Sequence, residues 1–358
     1  MKKKKVIILQ LYIPEYRVPV FSKLAEIYDL TVVFTKVDSS PENVPYKRVK
    51  LEEKIFGPFV WVKGLYNICR GNDVVIYSTD LHYVNYCFIP LIPSCFKTIS
   101  YGVGIRASYK TQFNLQRRKK LIDYLYKKIT YSSDSVLVYF KEVLDFWNLS
   151  ERTREKCFET RNTVEVISIK NKTNYNRKYF LFVGSLYKEK EVDKLIIAYN
   201  NAYRVNMVDN FPSLIIIGNG SQIEDLKSIV AKFNLGNRII FKGAIYDESE
   251  IANYFEKALI CISPNQAGLS VPHSMGYGVP FVTIRNAITG GEILHIKDGY
   301  NGILMNNINE LENVLTDVHL NRKKYLQMGD NAFQYYNQYA TIDRMVNGID
   351  DAIKFALR

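Results

Sequence analysis

Residues 262–304 read ISPNQAGLSVPHSMGYGVPFVTIRNAITGGEILHIKDGYNGIL, and their order decides the fold. Ser263-Pro264 closes an apolar run, and Asn265 to Ser270 forms a polar loop that contains a glycine. Val271 to Tyr277 predicts a short helix, stopped by Gly278 with Pro280 just beyond it. PFVTI is the next strand. Gly290-Gly291-Glu292 then supplies a flexible turn with one carboxylate, and Asp298-Gly299-Tyr300-Asn301-Gly302 a second turn. Strand, loop, helix, strand is the repeating unit of a parallel α/β sheet.

The same alternation extends outward in both directions. Upstream, YFLFVG, SLIIIG, NRIIFKG and ALICIS read as strands separated by helical patterns. In the first half, VIILQL from Val6, LTVVFT from Leu30, VVIYS from Val74, KTISYG from Lys97 and SVLVYF from Ser135 do the same. Helical patterns lie at Val20 to Tyr28 and, strongly basic, at about Asn114 to Ser132. The expected architecture is α/β: two doubly wound, Rossmann-like domains with a cleft between them. The expected boundaries are 1–168, 169–335 and a C-terminal helix 336–358 packing back on the first domain, with a polar connector between about Val166 and Arg177.

Composition narrows the class. The chain has 358 residues and no apolar run long enough to span a membrane as a helix. Tyr83 to Phe96 comes nearest, but Pro90 and Pro93 break it, so it reads as buried strand and loop. The lysine-rich start followed by an apolar run has no small-residue cleavage site, and reads as a first strand rather than a secretory signal. Five scattered cysteines, none in a C-x-x-C pair, fit reduced cytosolic thiols and give no metal-ligand spacing. The net charge of +12 is uneven: residues 1–165 hold 27 Lys+Arg against 17 Asp+Glu, the remainder 21 against 19. That asymmetry implies an anionic partner for the first half, or a generally basic surface.

Chemistry concentrates after the strands of the second half. Gly184 and Ser185 open a loop that feeds a helix near Glu191, a place suited to phosphate, with Lys190 beside it as a mobile charge. The alternative is a solvated lysine in the run KEKE. Gly218-Asn219-Gly220 sits at the next strand–helix junction, where two glycines allow a tight turn or a close approach to a ligand. Gly243 ends another strand. Ala267, Gly268 and Leu269 could wrap a diphosphate, and Glu292 follows Gly290-Gly291.

These stretches resemble the retaining glycosyltransferases of family 4, the group 1 type. That family reads G-R-L-x-x-x-K-G, G-x-G, P-S-x-x-E-G-F-G-L-x-x-x-E-A-M-A-x-G-x-P, a di-glycine and D-G-x-N-G. Here GSLYKEKE, GNG, SPNQAGLSVPHSMGYGVP, TGGE and DGYNG stand in that order over about 125 residues. IPEYRVPVF, YGVGIRASY and FETRNTV extend the resemblance, more thinly, into the first half. The resemblance implies the GT-B fold and transfer from a nucleotide-diphosphate sugar, UDP- or GDP-linked, without a metal or other cofactor. The family's paired glutamates fall on Asn265 and His273, and its arginine on Ser185. A sub-branch with G-L-x-x-x-H-S-x-x-Y-G-x-P is the closer pattern. Lys190, Glu292 and His273 are then the catalytic candidates. Gly184, Ser185, Gly218, Gly220, Gly243, Asn265, Ala267, Gly268, Leu269, Gly290 and Gly291 are the donor-binding ones. His273 has a second reading, as a packed or helix-capping residue.

The first half should hold the acceptor, a glycan or a polyprenyl-diphosphate-linked glycan of surface-polysaccharide assembly. Glu15, Tyr16 and Arg17 follow the first strand; Gly102, Gly104 and Arg106 follow a later one, with Val103 where relatives carry histidine. Arg117, Arg118, Lys119, Lys120, Lys127 and Lys128 surround Tyr124, Leu125 and Tyr126, a pattern that suits an anionic bilayer or an ordinary surface helix. A cytoplasmic protein, in peripheral contact with the inner membrane face, is the expectation. Two other readings stay open: a catalytically weak nucleotide-binding subunit, motivated by Asn265 and His273, and a nucleic-acid binder. Against the latter, the tyrosines are spread through both halves with no recognised binding motif, so no nucleic-acid partner is expected.

Overall fold

The runs quoted above as strands, from VIILQL to PFVTI, become strands, because buried parallel strands are covered on both faces and tolerate continuous β-branched sequence. The computed structural model describes residues 2–107, 113–117, 119–167, 176–206 and 210–358. They form two units, Met1–Val164 with Thr341–Arg358, and Glu165–Ala340. The boundary expected at 168/169 lies outside the described residues.

The first unit is built on β1 (Lys5–Leu9), β2 (Asp29–Phe34) and β3 (Lys47–Lys50). A hairpin of β4 (Glu53–Phe56) and β5 (Phe59–Val62) follows, then β6 (Val74–Tyr77), β7 (Lys97–Gly102), β8 (Ser135–Val138) and β9 (Cys157–Glu159). The sheet order is β3-β2-β1-β6-β7-β8-β9, with every pairing parallel. Alternate residues of β1 divide the two cores. Val6 and Ile8 face a layer containing Phe21 and Leu24. Ile7 and Leu9 face one containing Leu65 and Tyr86.

The C-terminal helix Ile342–Ala356 belongs to this unit's core. Its Ile342, Met345, Val346, Ile349 and Ile353 are buried with Val6 and Val32. At about 2 kcal/mol per such side chain, its removal would cost as much as a typical domain's whole stability of about 5–15 kcal/mol. It is an integral layer, not an appendage.

The second unit has β10 (Tyr179–Val183), β11 (Ser213–Ile217), β12 (Ile239–Phe241), β13 (Ala258–Ile262), β15 (Phe281–Ile284) and β17 (Gly302–Met305) in one parallel sheet. Its order is β12-β11-β10-β13-β15-β17. Two short strands, β14 (Gln266–Ala267) and β16 (Ile288–Thr289), pair separately outside it. Counted within the unit this is the 3-2-1-4-5-6 order of a Rossmann-like half.

Three expectations change. Tyr83 to Phe96 contains no strand: Val84–Phe88 is helical, and Leu91 and Ile92 are exposed. The basic helix shortens to Leu121–Thr130. The last segment is two helices, Arg322–Tyr339 and Ile342–Ala356, which end up in different units.

Candidate active site

Strand order reverses between β10 and β13, and in open α/β sheets ligands bind outside the carboxyl ends of the strands at such a point. The loops there are 184–191 and 263–269. They are tied directly together. Tyr187 Oη donates to Gln266 Oε1, and Asn265 Nδ2 donates to the Glu189 carbonyl at 3.3 Å. Parallel pairing of Ala267 with Thr289 carries the loop after β13 out beside the di-glycine loop after β15. Ala267 is buried, whereas a Cβ on Gly268 would meet nothing within 4 Å. Sequence placed Gly184, Asn265, Gly268, Gly290 and Gly291 far apart in the chain; topology brings their loops to one sheet edge.

Lys190 closes a single 3-10 turn, Lys188–Lys190, after which Glu191 takes a left-handed conformation, φ 53°. The helix Val192–Asn206 starts from there. Lys190 is only 8% exposed, and its Nζ would lie 3.4 Å from a Cβ on Gly184, so the glycine leaves its space. Among the described residues no carboxylate lies within ion-pair distance of it. Burial pushes its pKa down to about 8. Nearby Cys261 is itself buried, its thiol pushed up to about 12, and so brings no compensating charge at neutral pH. Its Nζ lies 5.8 Å from the centre of the Tyr187 ring; a buried ammonium without a counter-charge is costly, and an anionic ligand would relieve it.

The glycines of the second loop have a local cause. Gly218 has φ +146°, and a Cβ there would fall 1.9 Å from the Gly184 carbonyl oxygen. A Cβ on Gly220 would fall 2.3 Å from that of Leu186. The G-x-G turn therefore packs backbone against backbone on the 184–186 loop and fixes its course. Gly243, φ +73°, accepts from the Gly218 N–H at 2.7 Å, and Ser185 is exposed.

Glu292 begins a 3-10 turn and is buried. Its Oε2 accepts from the Gly290 N–H at 2.9 Å and from Thr289 Oγ1 at 3.1 Å. Thr289 Oγ1 in turn accepts from the Gly291 and Ile293 amides. The carboxylate thus organises the di-glycine loop from within.

His273 lies in the helix Ser270–Gly276, with its Nε2 2.7 Å from Glu248 Oε1. Tyr277 Oη donates to the same oxygen, and the imidazole packs edge-on against Phe255, ring centroids 4.8 Å apart. Burial and the Glu248 carboxylate push the Tyr277 hydroxyl well above its ordinary range. This face of the helix is turned to the helix Glu248–Phe255. Of the residues missed by sequence reasoning, Tyr277 was signalled by its position four after His273, on the same helical face. Glu248, Tyr187 and Gln266 were not signalled, since only tertiary packing brings them in.

In the first unit a cavity of about 380 Å³ opens at the ends of β6 and β7, lined by Thr79, Asp80, His82, Gly102, Arg106 and Tyr126 among others. Arg106 Nε pairs with buried Asp123 at 2.9 Å, and Arg117 pairs with the same oxygen. Gly104 lies beneath, where a Cβ would strike Val138 and Val143 at 2.9 Å; its carbonyl accepts from Trp147 Nε1 at 2.8 Å. Glu15 and Tyr16 are exposed. Arg17 is buried instead: it donates to Asn162 Oδ1 and lies 3.2 Å from Met345 Sδ, joining the loop after β1 to the C-terminal helix. No cluster of three or more His, Cys, Asp or Glu side chains suited to a metal occurs among the described residues.

Residues 164–335 match the family described as glycosyl transferases group 1. A search of curated proteins finds no match. Among solved structures the chain is similar to a mutant of S. aureus TarM in complex with fondaparinux, alpha-GlcNAc-glycerol and UDP: 13% identity, 98% of this chain, 99% of that one, TM-score 0.68. It is also similar to Anabaena HepE in complex with UDP, at 12% identity over 98% and 99% of the two chains, TM-score 0.71. The pneumococcal O-GlcNAc transferase GtfA, in complex with UDP and GlcNAc, gives 12% identity over 100% of each chain, TM-score 0.70. At such identities the likeness is one of fold, and that fold is GT-B.

Proposed function

We propose that this protein, whose residues 164–335 match the family described as glycosyl transferases group 1, moves a sugar from a UDP- or GDP-linked donor to a glycan acceptor, with retention of anomeric configuration and without a metal. The observation that carries the reading is Lys190: a buried, unneutralised ammonium at the strand-order reversal, beside a glycine that leaves room for it. As the bond to the sugar breaks, negative charge grows on the departing diphosphate. A preformed cation in a water-poor site stabilises that charge without reorganising. The departing phosphate can take the proton of the incoming hydroxyl on the same face, so the mechanism requires no separate base. Gly268 and the Gly290-Gly291 turn, held by Glu292, offer the diphosphate and sugar their backbone.

The cavity at the ends of β6 and β7 is the acceptor site in this account. Asp80, His82 and Thr79 supply hydroxyl-binding groups there. Complexes of TarM and GtfA that hold UDP together with a GlcNAc-containing molecule support a glycan acceptor. A polyprenyl-diphosphate-linked glycan of surface-polysaccharide assembly, met at the inner membrane face, fits the basic first unit.

The test is a panel of UDP- and GDP-sugars with lipid-linked and free glycan acceptors, reading nucleoside diphosphate release and the product's anomeric configuration by NMR. Release with a retained anomer is expected. Binding without turnover on any acceptor would favour the weak-subunit reading, which the commitment of His273 to Glu248 and of Asn265 to the Glu189 carbonyl keeps in play.

His273 acts, in this reading, by positioning the helix that follows the donor loop. His273→Ala and Glu248→Gln should each cost about 1–3 kcal/mol of stability, and the double variant little more, since they share one contact. Donor KM should rise by similar small factors in both. A donor KM far worse in His273→Ala than in Glu248→Gln would instead put the imidazole on the donor.

A further inference from the structure

We propose that the unit Met1–Val164 with Thr341–Arg358 docks on an anionic lipid bilayer through the tip of the β4–β5 hairpin, with the helix Leu121–Thr130 as a second contact. The hairpin is anchored along β5 and bare around its turn. Val60 N–H donates to the His82 carbonyl at 2.7 Å, and Asn85 bridges the Val62 N–H and carbonyl at 3.1 and 2.7 Å. Trp61, between the two anchored residues, and Ile55, Phe56 and Phe59 around the Gly57-Pro58 turn are 44%, 71%, 61% and 51% exposed. Leu91 and Ile92 are also about half exposed, and Ile92 and Trp61 share an apolar groove of about 280 Å³. Single exposed apolar residues are ordinary; a contiguous set of large ones marks a contact surface.

Charge selects the occupant. Residues 47–70, which contain the hairpin, carry six Lys or Arg against two acidic residues; Lys47, Arg48 and Lys63 are paired with Asp29, Asp38 and Glu52, and Lys50, Lys54 and Arg70 have no acidic partner among the described residues. Residues 117–128 carry six against one, and that one, Asp123, is buried under Arg106 and Arg117. Leu121 and Leu125, one helical turn apart, are 87% and 52% exposed among these lysines. Apolar side chains that insert and basic ones that meet anionic headgroups are the two signals needed for stable peripheral binding. His82 and Tyr126 both line the cavity proposed for the acceptor. The hairpin is bonded to the first, and the helix contains the second. The two contacts thus flank the cavity, so docking would present it to a lipid-linked acceptor. That purpose rests on the proposed function; the docking itself does not, and is read without turnover.

The test is co-sedimentation of the full chain with vesicles of phosphatidylglycerol and phosphatidylcholine, against phosphatidylcholine alone. Trp61 emission serves as a second readout, because the other tryptophan, Trp147, is 3% exposed. Binding only to the anionic vesicles, weakened by salt, with a blue shift of Trp61, is expected. Phe56→Ser with Phe59→Ser should weaken binding by about tenfold or more, with thermal unfolding unchanged because both rings are exposed. Leu121→Ser with Leu125→Ser should weaken it less. Absence of vesicle binding at low salt, or equal binding by the hairpin variant, would overturn the proposal. So would a dimer that the hairpin variant dissolves, which would make the tip a contact between copies.

Discussion

Lys190→Met is expected to lower kcat by a factor on the order of 10²–10³ and to make the free protein more stable. Both effects follow from one fact, that the ammonium is buried without a counter-charge. Depression of its pKa from 10.5 to about 8 corresponds to roughly 3 kcal/mol of disfavoured ionisation. The sign follows from proton counting. Between about pH 8 and 10.5 the unfolded chain holds this proton and the folded chain has released it, so stability rises with pH through that window. Below pH 8 both states are charged and the folded state bears the full penalty. Methionine keeps the length and removes the charge, so the variant should gain stability at pH 7 and lose the rise above pH 8. Denaturant titration at pH 7 and 10 measures the first effect, donor turnover at saturation the second. A variant with wild-type kcat would remove Lys190 from the mechanism.

Gly218→Ala should prevent folding of the second unit or cost more than about 4 kcal/mol. The new methyl would overlap the Gly184 carbonyl at 1.9 Å, backbone against backbone, at a φ of +146° that side chains rarely adopt. Neither atom can move without shifting the end of β10 or β11. Gly268→Ala is the informative contrast. Its Cβ has open space and its φ is unremarkable, so stability should change by less than about 1 kcal/mol. Donor KM should rise several-fold if a diphosphate lies against that backbone. Thermal unfolding of the two variants, with donor kinetics for the second, separates a glycine needed by the fold from one needed by the ligand.

That contrast explains how much was legible beforehand. The strands of both sheets were, because parallel strands buried on both faces declare themselves as runs such as VIIL and LIII. Strands at edges and outside the sheets were not: KRVK of β3 has one apolar residue, and the two-residue β14 and β16 exist only because two loops meet. The G-x-G turn was legible as a place of close approach, but what approaches is the neighbouring loop. Lys190 in KEKE looked like a solvated charge by local sequence, and only tertiary burial sets it apart. Arg17 was expected to face a ligand after β1; a buried amide and a methionine from the far end of the chain hold it instead. Side-chain direction at a loop depends on partners hundreds of residues away, and no local spacing encodes it.

In the proposed mechanism the second unit binds a nucleoside diphosphate against the Lys190 charge. Calorimetric titration of UDP and GDP into the wild type and Lys190→Met, at pH 7 and pH 9, tests it most directly. Saturable binding of at least one nucleotide at pH 7 is predicted, weaker at pH 9 as the lysine deprotonates, and weaker by about tenfold or more in Lys190→Met at pH 7. No binding of either nucleotide, or equal affinities in both proteins at both pH values, would contradict it.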